Sequence, residues 1–190
     1  MKIKLLFFFL FIQTIIFAQK PCDYAVNLND SNGTLKETKS CLIYEKVFGN
    51  KSTLIFMSLQ SNNNVPILKM EYIQKSNDFD APKCLDKNSR IIFQLSNGKI
   101  YTLINGEEPK CDNLVYNEKE KSNNRFLDAS FLFLKDDFDE ITKHSISLMR
   151  IRFTDSSEDY VLHKELTSET LKETFKPDAF FIDNFNCIAN

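Results

Sequence analysis

Apolar residues in this chain come in short runs, and polar turn-forming clusters separate each run from the next. Tyr24, Val26 and Leu28 alternate with polar residues, and Leu68, Met70 and Tyr72 share one side of the run 66–73. A period of two puts alternate side chains on one face of an extended strand. Similar runs occupy 41–48, 53–59, 113–116, 146–153 and 160–166. The run 126–134, FLDASFLFL, is apolar nearly throughout and reads as a strand buried on both faces. Groups such as GNKS (49–52) and QSNNN (60–64) supply the turns. The pattern predicts an α+β chain, mainly β. Its antiparallel sheets, sandwich-like or strongly curved, should hold about eight to ten short strands.

The stretch 83–111 specifies one hairpin in detail. Asn97-Gly98 is a favoured centre for a two-residue type I′ turn. With Ser96 facing Lys99, opposed residue numbers add to 195. Leu95, Phe93 and Ile91 then share a core face with Ile100, Thr102 and Ile104, while Tyr101 and Leu103 take the other side. Cys84 and Cys111 fit the same register, at a hydrogen-bonded position. A Cys84–Cys111 disulfide is the expectation, and closing a loop of that size adds about 3–4 kcal/mol in the chain-entropy model. Five cysteines leave one thiol unpaired at least, and Cys22, Cys41 and Cys187 hold at most one more bridge, of undetermined pairing.

Two helical segments are expected. Asp136 caps a short helix over 136–144, with Asp139 and Glu140 in its first turn. A C-terminal helical segment spans 168–188, where Leu171 and Phe175, then Phe181, Ile182, Phe185 and Ile188, recur at helical spacing and Pro177 interrupts.

The first residues, MKIKLLFFFLFIQTIIFAQK, pair two lysines with an apolar core and a small residue, Ala18, at a cleavage edge. This is the layout of a signal peptide over 1–18, and the apolar run is shorter than the roughly 20 residues that span a bilayer. Its Phe-Ala-Gln ending resembles bacterial export signals, a likeness confined to the leader. Residues 19–190 then form one β-rich domain in a secreted or periplasmic protein. No transmembrane segment is expected in that mature chain. Loss of Lys2 and Lys4 takes the formal charge from −2 to −4. No basic block is present, which argues against nucleic acid.

Chemistry is sparse. The two histidines, His144 and His163, read as surface or capping residues. No GxSxG, HExxH, P-loop or GxGxxG occurs, and no CxxC pair offers a thiolate zinc site. Asp136, Asp137, Asp139 and Glu140 crowd one helix start, where capping explains them. No catalytic, cofactor-binding or metal-binding residue is assigned. The expectation is a non-enzymatic exported binding or cell-envelope domain whose partner is a protein, a glycan or an apolar ligand. A hydrolase with carboxylates that converge only in three dimensions, and a carrier of an apolar ligand, are the competing readings.

Overall fold

Strand β4 (Lys51–Asn62) and strand β5 (Val65–Ser76) turn through Asn63 and Asn64, both at positive φ (49° and 66°). This is the geometry of a two-residue primed turn. Asparagine reaches the left-handed region more readily than most residues. β5 pairs in turn with β11 (Ser122–Phe133) over ten residues, so three long strands form the middle of one sheet. The computed structural model describes residues 21–31, 33–134 and 138–189. The expected leader over 1–18, Asp136 and Asp137 lie outside those residues.

On one flank stand β1 (Tyr24–Asp30), β2 (Gly33–Thr38) and β3 (Cys41–Phe48). On the other stand β7 (Arg90–Leu95), β8 (Ile100–Asn105), β12 (Ile146–Arg152) and β13 (Ser157–Val161). The order is β1-β2-β4-β5-β11-β8-β7-β12-β13, with β3 beside β4 and β10 (Asn113–Asn117) beside β11. Two short ladders accompany this eleven-stranded antiparallel sheet: β6 (Cys84–Leu85) with β9 (Lys110–Cys111), and β14 (Leu166–Thr167) with β15 (Thr174–Phe175). The chain is thus α+β and mainly β, built on one strongly curved sheet.

The sheet rolls until its flanks meet. Tyr44 of β3 packs edge-on against Tyr160 of β13 at 4.8 Å. The inner face buries Ile55, Met57, Leu68, Met70, Tyr72, Leu127 and Phe131, and from the far flank Ile91, Phe93, Leu103, Met149 and Ile151. A short helix, α1 (Phe180–Asn184), closes the roll. Its Phe181 meets Phe93 at 5.0 Å, and the following Phe185 stacks on Phe138 at 4.5 Å. The phenylalanine-rich C-terminus is therefore core.

The 83–111 hairpin differs from expectation by one residue. Opposed numbers add to 194: Phe93 faces Tyr101 and Ile91 faces Leu103. The loop has three residues. Gly98 N–H bonds the Leu95 carbonyl, Leu95 N–H bonds that of Lys99, and Gly98 sits at φ 83°. That is a turn with a glycine bulge, and it flips the whole of β8. Tyr101 and Leu103 enter the core, while Ile100 is 60% exposed. Apolar residues stand on both sides of β8, so alternation does not choose between registers. Tertiary bonds favour the larger loop, since Ser96 N–H reaches the Ser145 carbonyl and Asn97 Nδ2 reaches Glu140.

At the far end of the hairpin the expected pairing returns. Cys84 faces Cys111 across β6 and β9, with Cα atoms 3.9 Å apart and the two sulfurs bonded. Asp112 N–H bonds the Lys83 carbonyl. The pair is therefore non-hydrogen-bonded, not hydrogen-bonded as expected, and this is the position where side chains come closest. Cys22 and Cys187 form the second bridge, which ties the first described residues to the end of the roll, and Cys41 keeps its thiol.

Both helix expectations need correction. Phe138–His144 makes only successive turns, through Thr142 N–H to Phe138 and His144 N–H to Glu140. The Thr142 hydroxyl competes for the same carbonyls, Phe138 is held by the aromatic cluster, and β12 begins at Ile146, too soon to repay helix nucleation. At 168 the Ser168 hydroxyl does accept the Leu171 N–H, as a cap would. The chain then reverses at Lys172 (φ 60°) into β15, because Glu45 of β3 binds the Glu169 and Thr170 amides and holds the turn to the sheet. The helical segment starts only at Pro177.

The slipped register separates two substitutions. In urea unfolding, Leu103→Ala should cost about 2–5 kcal/mol and Ile100→Ala less than about 0.5 kcal/mol. The register read from the turn alone reverses that order. By loop length, opening Cys22–Cys187 should destabilise more than opening Cys84–Cys111, since the first closes 165 residues and the second 27.

Candidate functional site

The outer face of the three long strands carries what the sequence motifs did not. Across β4, β5 and β11 the register places Phe56, Glu71 and Asp128 in one row and Ser58, Lys69 and Ser130 in the next. Their chain neighbours Ile55, Met57, Leu68, Met70, Leu127 and Ala129 point into the core. Glu37 and Ser40 wall the floor on one side, Glu107 on the other, and the resulting groove holds about 260 Å³. Gly106 makes the second wall possible. Its N–H bonds the Ser130 carbonyl, and a Cβ there would lie 3.3 Å from that oxygen and 3.2 Å from Leu132.

The carboxylates in the groove are held unequally. Glu37 accepts from Ser58 (3.1 Å), Gln60 (3.1 Å) and Lys69 (3.3 Å) and is fixed in place. Glu107 pairs with Lys110. Burial works against its charge, but hydrogen bonds from Lys110 and Ser130 outweigh that and hold it below the ordinary carboxylate range. The side-chain carboxylates of Glu71 and Asp128 accept no hydrogen bond from any described residue. They face each other directly across β5 and β11. Burial first, and the Asp128 charge second, push the Glu71 carboxyl above the ordinary range. Like charges directly opposite on adjacent strands destabilise a sheet.

A second polar centre lies inside the roll. Glu158 of β13 accepts from Tyr160 (2.5 Å), from Tyr72 of β5 (3.3 Å) and from Lys83, whose ammonium also stands 5.1 Å from the Phe153 ring. Burial disfavours the Glu158 charge, but these donors prevail and hold its pKa low. The two phenols are pushed well above the ordinary tyrosine value, chiefly by burial. With both phenols and the Lys83 ammonium converging on one carboxylate, the network is a strut between opposite walls. Lys83 also leads into the Cys84–Cys111 clamp. Its amide bonds Asp112, and Asp112 pairs with buried Arg125 at 2.6 Å. The clamp belongs to this scaffold.

Of the residues weighed in the sequence, few meet. Asp139 pairs with Lys143 within its own turn, whereas Glu140 holds Lys99, Asn97 and His144 and so braces the hairpin tip. His163 is exposed. Cys41 lines a larger opening of about 510 Å³ with Asp23, Lys39, Phe180 and Asp183, beside the Cys22–Cys187 bridge. The groove residues were missed because they lie on separate strands and no two form a motif. Asp128 is the one charge within FLDASFLFL, and it is exposed. That strand is therefore not buried on both faces, and a lone carboxylate in an apolar run was the available signal. Among the described residues no group of histidine, cysteine and carboxylate side chains is placed to hold a metal ion. No helix there is long and apolar enough to cross a membrane. No family model, curated protein or solved structure matches the chain.

The two carboxylates have opposite linkage to pH. A group whose folded-state pKa is raised destabilises the fold when ionised. The Glu71 cost is absent below its unfolded value of about 4.3 and complete above its folded value. The Glu158 contribution is present above about 4.3 and is lost as pH falls through its lower folded value. In an NMR pH titration the Glu71 midpoint should stand above about 4.3. Asp128→Asn should lower that midpoint without restoring the ordinary value, because burial remains. An unchanged midpoint would mean that the two carboxylates do not interact.

Proposed function

We propose that this chain is an exported, disulfide-braced binding protein and that its ligand lies in the groove over β4, β5 and β11. The observation that carries the reading is the Glu71–Asp128 pair. A sheet gains nothing from two opposed carboxylates without donors. A ligand bringing hydroxyl or ammonium donors relieves their repulsion. Phe56 adds an apolar surface beside them, and Ser58, Ser130 and Lys69 can fix orientation. Small hydroxyl-rich molecules, of which saccharides are the fitting class, meet those demands. The leader and the two disulfides support export to a secreted or periplasmic location. The apolar-carrier reading is less supported, because Phe93, Phe131, Phe180 and Phe181 fill the roll.

A hydrolase is the second reading, favoured by the same pair. One carboxyl with a raised pKa faces another carboxyl, and opposed residues on neighbouring strands set Cβ atoms roughly 4.5–5.5 Å apart. Side chains rising from that spacing can bring their carboxyl groups to the roughly 5–5.5 Å that a double-displacement glycosidase uses. Against it, the pair stands on an open groove floor. Water there weakens the electrostatic stabilisation that such chemistry needs.

Amide and carboxyl NMR shifts, followed during titration with neutral mono- and disaccharides, test the proposal. The expected result is shifts confined to Phe56, Ser58, Lys69, Glu71, Asp128 and Ser130, absent in the Glu71→Gln/Asp128→Asn protein. Silence across the panel at about 10 mM ligand would overturn it, since that excludes even millimolar affinity. Turnover of an aryl glycoside, lost in Glu71→Gln, would move the assignment to the enzyme.

A further inference from the structure

Strand β10 is an unusual edge. It reads Asn-Leu-Val-Tyr-Asn and pairs only with β11 among the described residues, through Leu114 opposite Arg125 and Val115 opposite Asn124. No described strand lies along its outer edge. The β6–β9 ladder runs toward it but ends at the Lys83–Asp112 bond. Leu114, Val115 and Tyr116 are 43%, 53% and 56% exposed, so apolar side chains stand uncovered on both faces of the strand. Three consecutive exposed apolar residues on an open edge form a template for pairing with another strand.

Other free edges are protected. β13 carries Glu158 and Asp159, the latter tied to Arg150 at 2.5 Å and 2.6 Å. β3 is covered at Glu45 by the β14–β15 turn, and its exposed end carries the charge of Lys46. β1 ends on a charged residue, Asp30. β10 has no charge, proline or bulge to keep a second strand away.

We infer that β10 is the contact strand of a homodimer, pairing antiparallel with β10 of a second copy about a two-fold axis through Val115. The strand is self-complementary in that register. Val115 meets its own counterpart on one face, and Leu114 meets Tyr116 twice on the other. Asn113 and Asn117 close the ends with neutral amides. Beyond the strand that edge is already taken by β6, which pairs with Lys110 and Cys111, so the self-pairing is confined to Asn113–Asn117. Asp112, which borders that register, is held by Lys83 and already neutralised by Arg125. The interface is isologous, so the association stops at two copies. Five-residue strands bury less than the roughly 1,200 Å² of a standard interface, so the dimer is weak.

Sedimentation velocity on the oxidised protein, from about 1 µM to about 500 µM, tests the inference. The weight-average mass should climb from monomer toward dimer and no further. Val115→Lys should remain monomeric throughout with an unchanged melting temperature, since the side chain it replaces is exposed. A Cys41→Ser/Val115→Cys protein should cross-link to a dimer under mild oxidation. A Cys41→Ser/Val161→Cys protein, altered at an exposed site on β13, should not. A monomer at the highest concentration, association that survives Val115→Lys, or equal cross-linking at both positions would overturn the proposal.

Discussion

Full-length pairing of β4, β5 and β11 is the constraint on which the rest of the molecule depends. Once the turn at Asn63 and Asn64 sets the β4–β5 register, the two-residue period decides both faces together. The inner face becomes the floor of the core. The outer face becomes the groove. A slip of one residue in β5 or β11 would send Glu71 or Asp128 inward and Tyr72 or Leu127 to water, and a slip in β4 would do the same to Phe56 and Met57. The register of the scaffold and the composition of the candidate site are therefore one property.

Closure comes from few contacts, and most of them lie far apart in sequence. Tyr44 against Tyr160, the Glu158 strut and the Glu45 grip on the β14–β15 turn draw the flanks together. The Cys22–Cys187 bridge and the phenylalanines of the last residues seal one end. Tyr24 reinforces that end by donating its hydroxyl to the Cys187 carbonyl at 2.8 Å. Because these bonds join distant segments, much of the chain must be ordered before any of them forms.

What could be read from the sequence follows from how locally each feature is determined. The inner residues of β7, Ile91, Phe93 and Leu95, are legible because Arg90 and Gln94 mark the opposite face, although Ile92 shares it. Those of β8 are not, because Ile100, Ile104, Tyr101 and Leu103 make both faces plausible and the loop residue count decides between them. Helical spacing at Leu171 and Phe175 misled, since a carboxylate from β3, more than a hundred residues away, takes the amides that a helix start would offer. The groove was illegible for a related reason. Glu37, Glu71, Glu107 and Asp128 come from four separate places in the chain, and only strand pairing assembles them.

On this account the protein keeps, in the middle of its most extensively paired strands, a pair of carboxylates that costs stability, as binding sites often do. The most direct measurement is the urea midpoint of Asp128→Asn at pH 7 without ligand. The account predicts a midpoint above that of the unaltered protein, because the change removes the charge facing Glu71 and breaks no hydrogen bond from a described residue. A lower midpoint would contradict it, for Asp128 would then stabilise the fold and the groove would have no strain for a ligand to relieve.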